Sequence, residues 1–262
     1  MNYSLIVFQK VENVAVIKFN RPDLLNSFNR AMALEVQSAL AESAGEKSIR
    51  AVLITGEGKA FCAGQDLAEA APKDAPLVDL GKIIRERYNP IIKLIREIEK
   101  PVICAVNGTA AGAGANIALA CDVIVASGNA SFIQAFSKIG LIPDSGGTFF
   151  LPRIVGLQRA SVMMMLSEKI SAEDALKFGM IYKIFPLEKL FDEALGLANQ
   201  LAEMPTKGLA LTKKALNKSL FNNLDGQLKL EEELQIEAGK TFDYQEGVKA
   251  FLEKRKPNFK GE

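Results

Sequence analysis

Apolar positions change their spacing several times along the chain, and each change marks an element. Leu5-Ile-Val-Phe8 and Val14-Ala-Val-Ile-Lys-Phe19 are short β-rich runs on either side of Glu12-Asn13, the pattern of an opening hairpin. Met32, Val36, Ala39 and Leu40 then recur at helical spacing behind the N-cap candidates Asn26, Ser27 and Asn29, so a helix is expected through about Ala44. Ala51-Val-Leu-Ile-Thr55 is an unbroken apolar run between Arg50 and Gly56, as a strand covered on both faces would be. Gly56 to Pro76 reads as a loop and Leu80 to Glu99 as a long helix. Pro101 to Val106 reads as a strand that ends at Asn107-Gly108 and leads into a Gly/Ala-rich helix start. Val123 to Ala126 and Ser131 to Gln134 are two further expected strands. This alternation predicts an α/β domain over residues 1–190.

Beyond Phe185-Pro186 the character changes. Lys189 to Glu253 holds helix formers, periodic leucines and a break at Met204-Pro205, with no strand-like run. Residues 191–262 are therefore expected to be a helical region, too thin to bury a core of its own, that packs on the main body or on a neighbouring subunit.

Composition adds one strong exclusion: the 262 residues include 0 histidines. Ser-His-Asp and Cys-His nucleophilic sites, imidazole zinc sites and histidine general bases are ruled out. Chemistry must run on carboxylates, backbone amides, lysine, tyrosine or thiols. Lys+Arg 32 against Asp+Glu 31 gives no global electrostatic footprint for nucleic acid or an anionic membrane. Cys62, Cys104 and Cys121 have no CxxC spacing and read as small buried hydrophobes of a reducing compartment. Met1-Asn2-Tyr3-Ser4 leads straight into a strand pattern with no secretory signal, so a cytoplasmic location is expected. The uncharged stretch Pro101 to Cys121 is too rich in alanine, glycine and asparagine to be a membrane span.

Three glycine-rich places are candidate ligand loops. Gly56-Glu-Gly-Lys-Ala60 lacks the Ser/Thr and the upstream glycine of a P-loop, and Gly112-Ala-Gly-Ala-Asn-Ile117 lacks the third glycine of a dinucleotide fingerprint. Gly146-Gly147, after Pro143-Asp144, is a turn into a helix. Phe61 to Asp66 and Gly108 to Gly114 each follow a buried strand and can bring bare N–H groups close to a ligand. Two such groups converging would form an oxyanion hole. Spacing alone is met at least as well by tight turns with close helix–strand packing.

Longer runs carry more. Phe61-Cys-Ala-Gly-Gln-Asp-Leu67, Lys100-Pro-Val-Ile-Cys-Ala-Val-Asn-Gly108, Ala120-Cys-Asp-Val-Ile-Val125, Gly140-Leu-Ile-Pro-Asp-Ser-Gly-Gly147 and Glu246-Gly-Val-Lys-Ala-Phe-Leu-Glu-Lys-Arg255 follow one another across essentially the whole chain. Together they resemble the enoyl-CoA hydratase/isomerase (crotonase) superfamily. The resemblance implies an α/β fold, a spiral of ββα units with a C-terminal helical trimerisation region, in homotrimers often paired into hexamers. It also implies acyl-CoA thioester substrates, in which coenzyme A is part of the substrate, with no separate cofactor and no metal. By family position, the N–H groups of Gln65 and Ala113 would hold the thioester oxygen. Ala63, Asp66, Leu67 and Gly112 would contact the substrate. Phe251 and Lys254 resemble residues that reach the CoA adenine and phosphate from a neighbouring subunit, although Lys254 fits a solvated helix face equally well.

The departures from the pattern are informative. Hydratases of this family carry two glutamates at positions that match Asn116 and Phe136 here, so both hydratase carboxylates are missing. An acid stands instead at Asp144, where hydratases usually have glycine. That resembles the isomerase branches, the epoxyphenylacetyl-CoA and Δ3,Δ2-enoyl-CoA isomerases, with the run around Asp144 most like the former. Asp144 would be the acid/base, although Asp between Pro and Ser-Gly-Gly is also a good turn or N-cap residue. Asp66 and Asp122 are expected to fix loops rather than move protons, and Glu69 to be a further candidate facing the pocket. Met163-Met-Met165 is expected in core packing or subunit contact. The function expected is an acyl-CoA isomerase. The alternatives are an enoyl-CoA hydratase using a non-standard acid, or a non-catalytic acyl-CoA-binding member.

Overall fold

The computed structural model describes residues 3–70 and 78–262. Among these, strands β1 (Ile6–Val11), β2 (Val14–Phe19), β3 (Ala51–Gly56), β5 (Val102–Val106), β7 (Val123–Ser127) and β10 (Lys183–Phe185) form one sheet in the order β1-β2-β3-β5-β7-β10. A second sheet has the order β4-β6-β8-β9, from β4 (Ala60–Cys62), β6 (Thr109–Ala111), β8 (Ser131–Ile133) and β9 (Lys169–Ser171). The hairpin β1/β2 turns at Glu12, whose φ is 52°, and the large sheet is otherwise parallel. Three times in succession (β3-β4, β5-β6, β7-β8) the chain lays one strand in the large sheet, the next in the small sheet, and then enters helical structure. This is the ββα spiral.

The reason β3, β5 and β7 read as unbroken apolar runs is that the sheet is covered twice. One face, with Leu53, Ile103 and Val125, packs on the helix Leu187–Ala202 through Leu190, Ala194, Ala198 and Ala202, one residue per helical turn. The other face, with Val52, Ile54, Val102 and Cys104, meets Met32, Val36 and Ala39 of the helix Arg30–Gly45 and Ile91 and Ile95 of the helix Asn89–Glu97. Asn29 caps the former by accepting from the Met32 N–H at 2.9 Å. Asn26 is fully buried and bonds the carbonyls of Glu57 and Ala60, which brings β4 to the end of β2.

The helix expected over Leu80–Glu99 is interrupted. Leu80–Ile83 is α-helical, Ile84–Tyr88 is a π turn closed by the Asn89 N–H on the Ile84 carbonyl, and Asn89–Glu97 resumes as α-helix. The cause is Pro90, which has no N–H to donate one turn back to the Glu86 carbonyl. That carbonyl accepts from Gln37 Nε2 at 2.8 Å, and the Arg87 carbonyl accepts from the same nitrogen at 3.0 Å. The loop expected over Gly56–Pro76 contains β4 and a helical turn at Leu67–Ala70; from residue 71 it lies outside the described residues, as do Met1 and Asn2. β6, β9 and β10 are likewise strands the hydrophobic pattern did not announce.

The C-terminal helices are anchored by buried charge. Lys213, in the helix Thr206–Ser219, donates to the carbonyls of Ile95 and Lys100 and pairs with Asp122 at 2.7 Å; Arg96 pairs with Asp122 at 2.9 Å. Asp122 also accepts the Val102 N–H at 2.9 Å, so one carboxylate ties the start of β5 to two helices. Beyond it, Leu224, Leu228, Phe251 and Leu252 stand exposed. No helix among the described residues is long and apolar enough to cross a membrane.

Candidate active site

The two loops picked out as sources of bare N–H groups lie side by side because β4 and β6 are parallel neighbours in the small sheet. Gly64 follows β4 with φ +89°, and a Cβ there would stand 2.9 Å from the Ala111 carbonyl oxygen and 3.5 Å from the Ala113 nitrogen. Glycine is needed both for that backbone and for that approach. The Phe28 N–H donates to the Gly64 carbonyl at 2.7 Å, and the Asp66 N–H donates to the Phe28 carbonyl at 2.9 Å. With the groups on either side of it spent on Phe28, the Gln65 N–H lies on the opposite side of the extended chain. Ala113 opens the helix Ala113–Leu119 behind Gly112, whose φ is 53°, and has no carbonyl one turn back inside the helix. Neither the Gln65 nor the Ala113 N–H finds an acceptor among the described residues.

Both residues line a cleft of about 630 Å³. Ala63, Gly64 and Gly112 surround them, Leu67, Leu80, Ile83 and Ile84 form an apolar wall, and Phe136, Leu141 and Ile142 lie opposite. Asp144 is the one carboxylate among the described lining residues. Its backbone is fixed from two sides, since its carbonyl accepts from Asn116 Nδ2 at 2.9 Å and from the Gly147 N–H at 2.8 Å. The next two residues are both left-handed, Ser145 at φ 50° and Gly146 at φ 73°. For Ser145 that conformation costs on the order of 1 kcal/mol. It lets the chain turn into the helix Gly147–Val155 while the carboxyl stays in the cleft, where Ser145 Oγ donates to Asp144 Oδ1 at 2.8 Å. Burial pushes the Asp144 carboxyl above its ordinary value, and the Ser145 bond opposes that rise.

The other candidates divide. Ala63, Leu67 and Gly112 line the cleft with Gln65, Ala113 and Asp144. Asp66 does not: its side chain pairs with Arg21 at 2.9 Å and accepts from the Ala68 N–H at 3.1 Å. Glu69, expected toward the pocket, instead pairs with Arg87 at 2.9 Å and accepts from the Arg30 N–H. Side chains of the extended Gln65-Asp66 segment and of the helical turn Leu67–Ala70 point to more than one face, and a sequence motif does not say which face is the cleft. Phe251 is 83% exposed at the end of the helix Phe242–Leu252, and Lys254 follows it in the left-handed region, both outside the cleft of their own chain. Of the two positions where hydratases carry glutamate, Phe136 lines the cleft. Asn116 is fully buried beneath it and accepts from Gln134 Nε2 at 2.7 Å.

Tyr88 also lines the cleft, and the sequence reading did not single it out. It closes the π turn, is 1% exposed, and donates its hydroxyl to Gln65 Oε1 at 2.8 Å. The signal available was Pro90 inside a helical pattern, which announces a break where side chains change face.

Two unspent N–H groups and one half-buried carboxylate share a single cleft on a ββα spiral, and comparison with known proteins gives the class that has this fold its name. Residues 9–262 match the family model described as Enoyl-CoA hydratase/isomerase. The chain belongs to that family. It is 47% identical over 251 residues to the 1,2-epoxyphenylacetyl-CoA isomerase of Escherichia coli, covering 95% of this chain and 96% of that one. It is 45% identical to a Rhodobacter capsulatus protein named "Probable enoyl-CoA hydratase", over 100% of both chains. Among solved structures, the enoyl-CoA hydratase from Bacillus anthracis is 32% identical, with a TM-score of 0.92 over 99% of this chain and 100% of that one.

Proposed function

We propose that this protein is an acyl-CoA isomerase that moves a proton through an enolate, with Asp144 as acid and base. The observation that carries the reading is the presence of one half-buried carboxylate and two free N–H groups in the same, largely apolar cleft. With a 3-enoyl-CoA bound, the Asp144 carboxylate would take a proton from the carbon next to the thioester. The electron pair would pass into the carbonyl, and the Gln65 and Ala113 N–H groups would stabilise the oxygen that gains charge. Protonated Asp144 would return the same proton to the far carbon of the former double bond, which becomes conjugated. Burial favours the role, because a carboxyl pushed upward is a stronger base when ionised. Similarity to the E. coli isomerase makes a ring epoxide on the same thioester the second substrate class.

Hydration requires a water to be held and deprotonated while another proton is delivered. Here the hydratase positions hold Phe136, which is apolar, and Asn116, whose amide is committed to Gln134 and to the Asp144 backbone. One ultraviolet assay separates the readings, since isomerisation of a 3-enoyl-CoA creates the absorbing conjugated thioester and hydration of a 2-enoyl-CoA destroys it. Rapid hydration without isomerisation would overturn the proposal; binding without turnover of a 3-enoyl-CoA or a ring epoxide would leave an acyl-CoA-binding protein.

The exposed apolar side chains Leu224, Leu228, Phe251 and Leu252 support a homotrimer or a hexamer, in which Phe251 and Lys254 would reach the CoA of a neighbouring copy.

A further inference from the structure

The polar contact between Tyr88 and Gln65 lies in a cleft wall built mainly of Leu67, Leu80, Ile83 and Ile84, and the proposed proton transfer does not use it. We propose that Tyr88 is a positioning residue that sets the aim of the Gln65 N–H, through a brace formed by the Gln65 side chain. The inference rests on the isomerase reading, in which that N–H holds the thioester oxygen.

The brace has two hydrogen bonds. The Tyr88 hydroxyl donates to Gln65 Oε1 at 2.8 Å, and Gln65 Nε2 donates to the Asp66 carbonyl at 3.1 Å. The peptide that follows Asp66 is thus tied by the Gln65 side chain to the helical wall. The Tyr88 ring also lies against Phe28, with ring centroids 6.0 Å apart, and Phe28 holds the Gly64 carbonyl and the Asp66 N–H from the other side. Gln65 is gripped by its backbone neighbours and by its own side chain, and Tyr88 touches both grips. The anchor is rigid, since Tyr88 is buried and the π turn that carries it is fixed by Gln37 on the carbonyls of Glu86 and Arg87. Burial raises the phenol far above its ordinary value, so it stays a neutral donor at any working pH. An oxyanion donor is useful only where the oxygen will be, and a small misdirection is expensive. Residue 65 needs a side chain that accepts at one end and donates at the other, and glutamine does both.

The test uses a thioester with its own dye. In para-dimethylaminocinnamoyl-CoA, polarisation of the carbonyl shifts the absorption to the red, whether or not the enzyme can turn it over. Tyr88→Phe removes the hydroxyl and keeps the ring. At saturation its complex should show a smaller red shift than wild type. The kcat on a 3-enoyl-CoA should fall about five- to tenfold, the scale of one net hydrogen bond, with KM changed less than about twofold. Gln65→Ala keeps the peptide N–H and removes the brace from the other end, so it should give the same loss by itself. Tyr88→Phe should then add nothing in the Gln65→Ala background. Unchanged red shift and kcat in either single variant, or full additivity in the double one, overturns the inference. A wild-type protein that shifts the dye but fails to isomerise refutes the isomerase reading and leaves the red shift to decide on Tyr88. A wild-type protein that leaves the bound dye unshifted overturns both.

Discussion

Asn116 donates its side-chain N–H to the main-chain carbonyl of Asp144 at 2.9 Å, from the same seven-residue helix whose first N–H, at Ala113, opens into the cleft. The Asp144 loop and the Ala113 N–H are therefore referenced to a single short rigid element. Gly147 presses on Asn116 so closely that any Cβ there would overlap the amide, which keeps the Asp144 loop flat on the helix. The residue that replaces a hydratase glutamate has thus become the mount for a carboxylate elsewhere in the chain.

Asp144→Asn should lower isomerisation of a 3-enoyl-CoA by ~10²–10⁴-fold, the range of general acid–base catalysis, with little change in thioester affinity. Stability should move the other way. Because burial raises the folded-state pKa of Asp144, ionisation costs stability at neutral pH, and that cost disappears below the ~3.9 of a free aspartate, where the carboxyl is protonated folded or unfolded. The variant should melt higher than wild type at pH 7 and equally at pH 3. A lower melting temperature at pH 7 would contradict the desolvation argument.

Ser145→Gly relieves a left-handed serine and removes the hydroxyl that donates to Asp144. Losing that bond lets the carboxyl pKa rise further, so the acid limb of kcat/KM should move to higher pH. An acid limb moving to lower pH would mean that the serine does not stabilise the ionised form.

Gly64→Ala tests the meeting of the two loops. A methyl group 2.9 Å from the Ala111 carbonyl oxygen, on a backbone at φ +89°, should cost about 1–3 kcal/mol of stability by denaturant unfolding. Activity should fall as well, although Asp144 is untouched, because Gln65 and Ala113 lose their mutual spacing. An alanine variant with native kcat would show that the spacing is not critical.

Assembly is open to sedimentation at micromolar concentration, where a trimer or hexamer is expected. Charge substitution at Leu228 and Leu252, both exposed in the single chain, should weaken it. A wild-type protein that sediments as a clean monomer would remove the basis for CoA contacts by Phe251 and Lys254.

The large sheet was legible because β3, β5 and β7 are buried on both faces and write that into the sequence as continuous apolar runs. Of the small sheet, β8 was legible in the run Ser131 to Gln134; β4, β6 and β9 were not, since each has three residues, below the length at which a two-residue period can register, and the neighbours that make them strands are remote in sequence. The positions of Gln65, Ala113 and Asp144 along the chain were marked by their motifs; which side chains turn inward was not, as Asp66 and Glu69 illustrate. Tyr88 was hidden because its placement depends on a helix irregularity created two residues later by Pro90.

Two amides that the fold leaves unspent have a consequence for isotope labelling. In the free protein the Gln65 and Ala113 hydrogens are open to solvent through the cleft, while the flanking Asp66 and Gly112 hydrogens are bonded to Phe28 and Ile133. Deuterium should therefore enter positions 65 and 113 quickly and their neighbours slowly, and a thioester that seats its oxygen between them should reverse the contrast. Occupancy of the oxygen site can then be followed as exchange protection at two backbone positions, with no chromophore and no turnover.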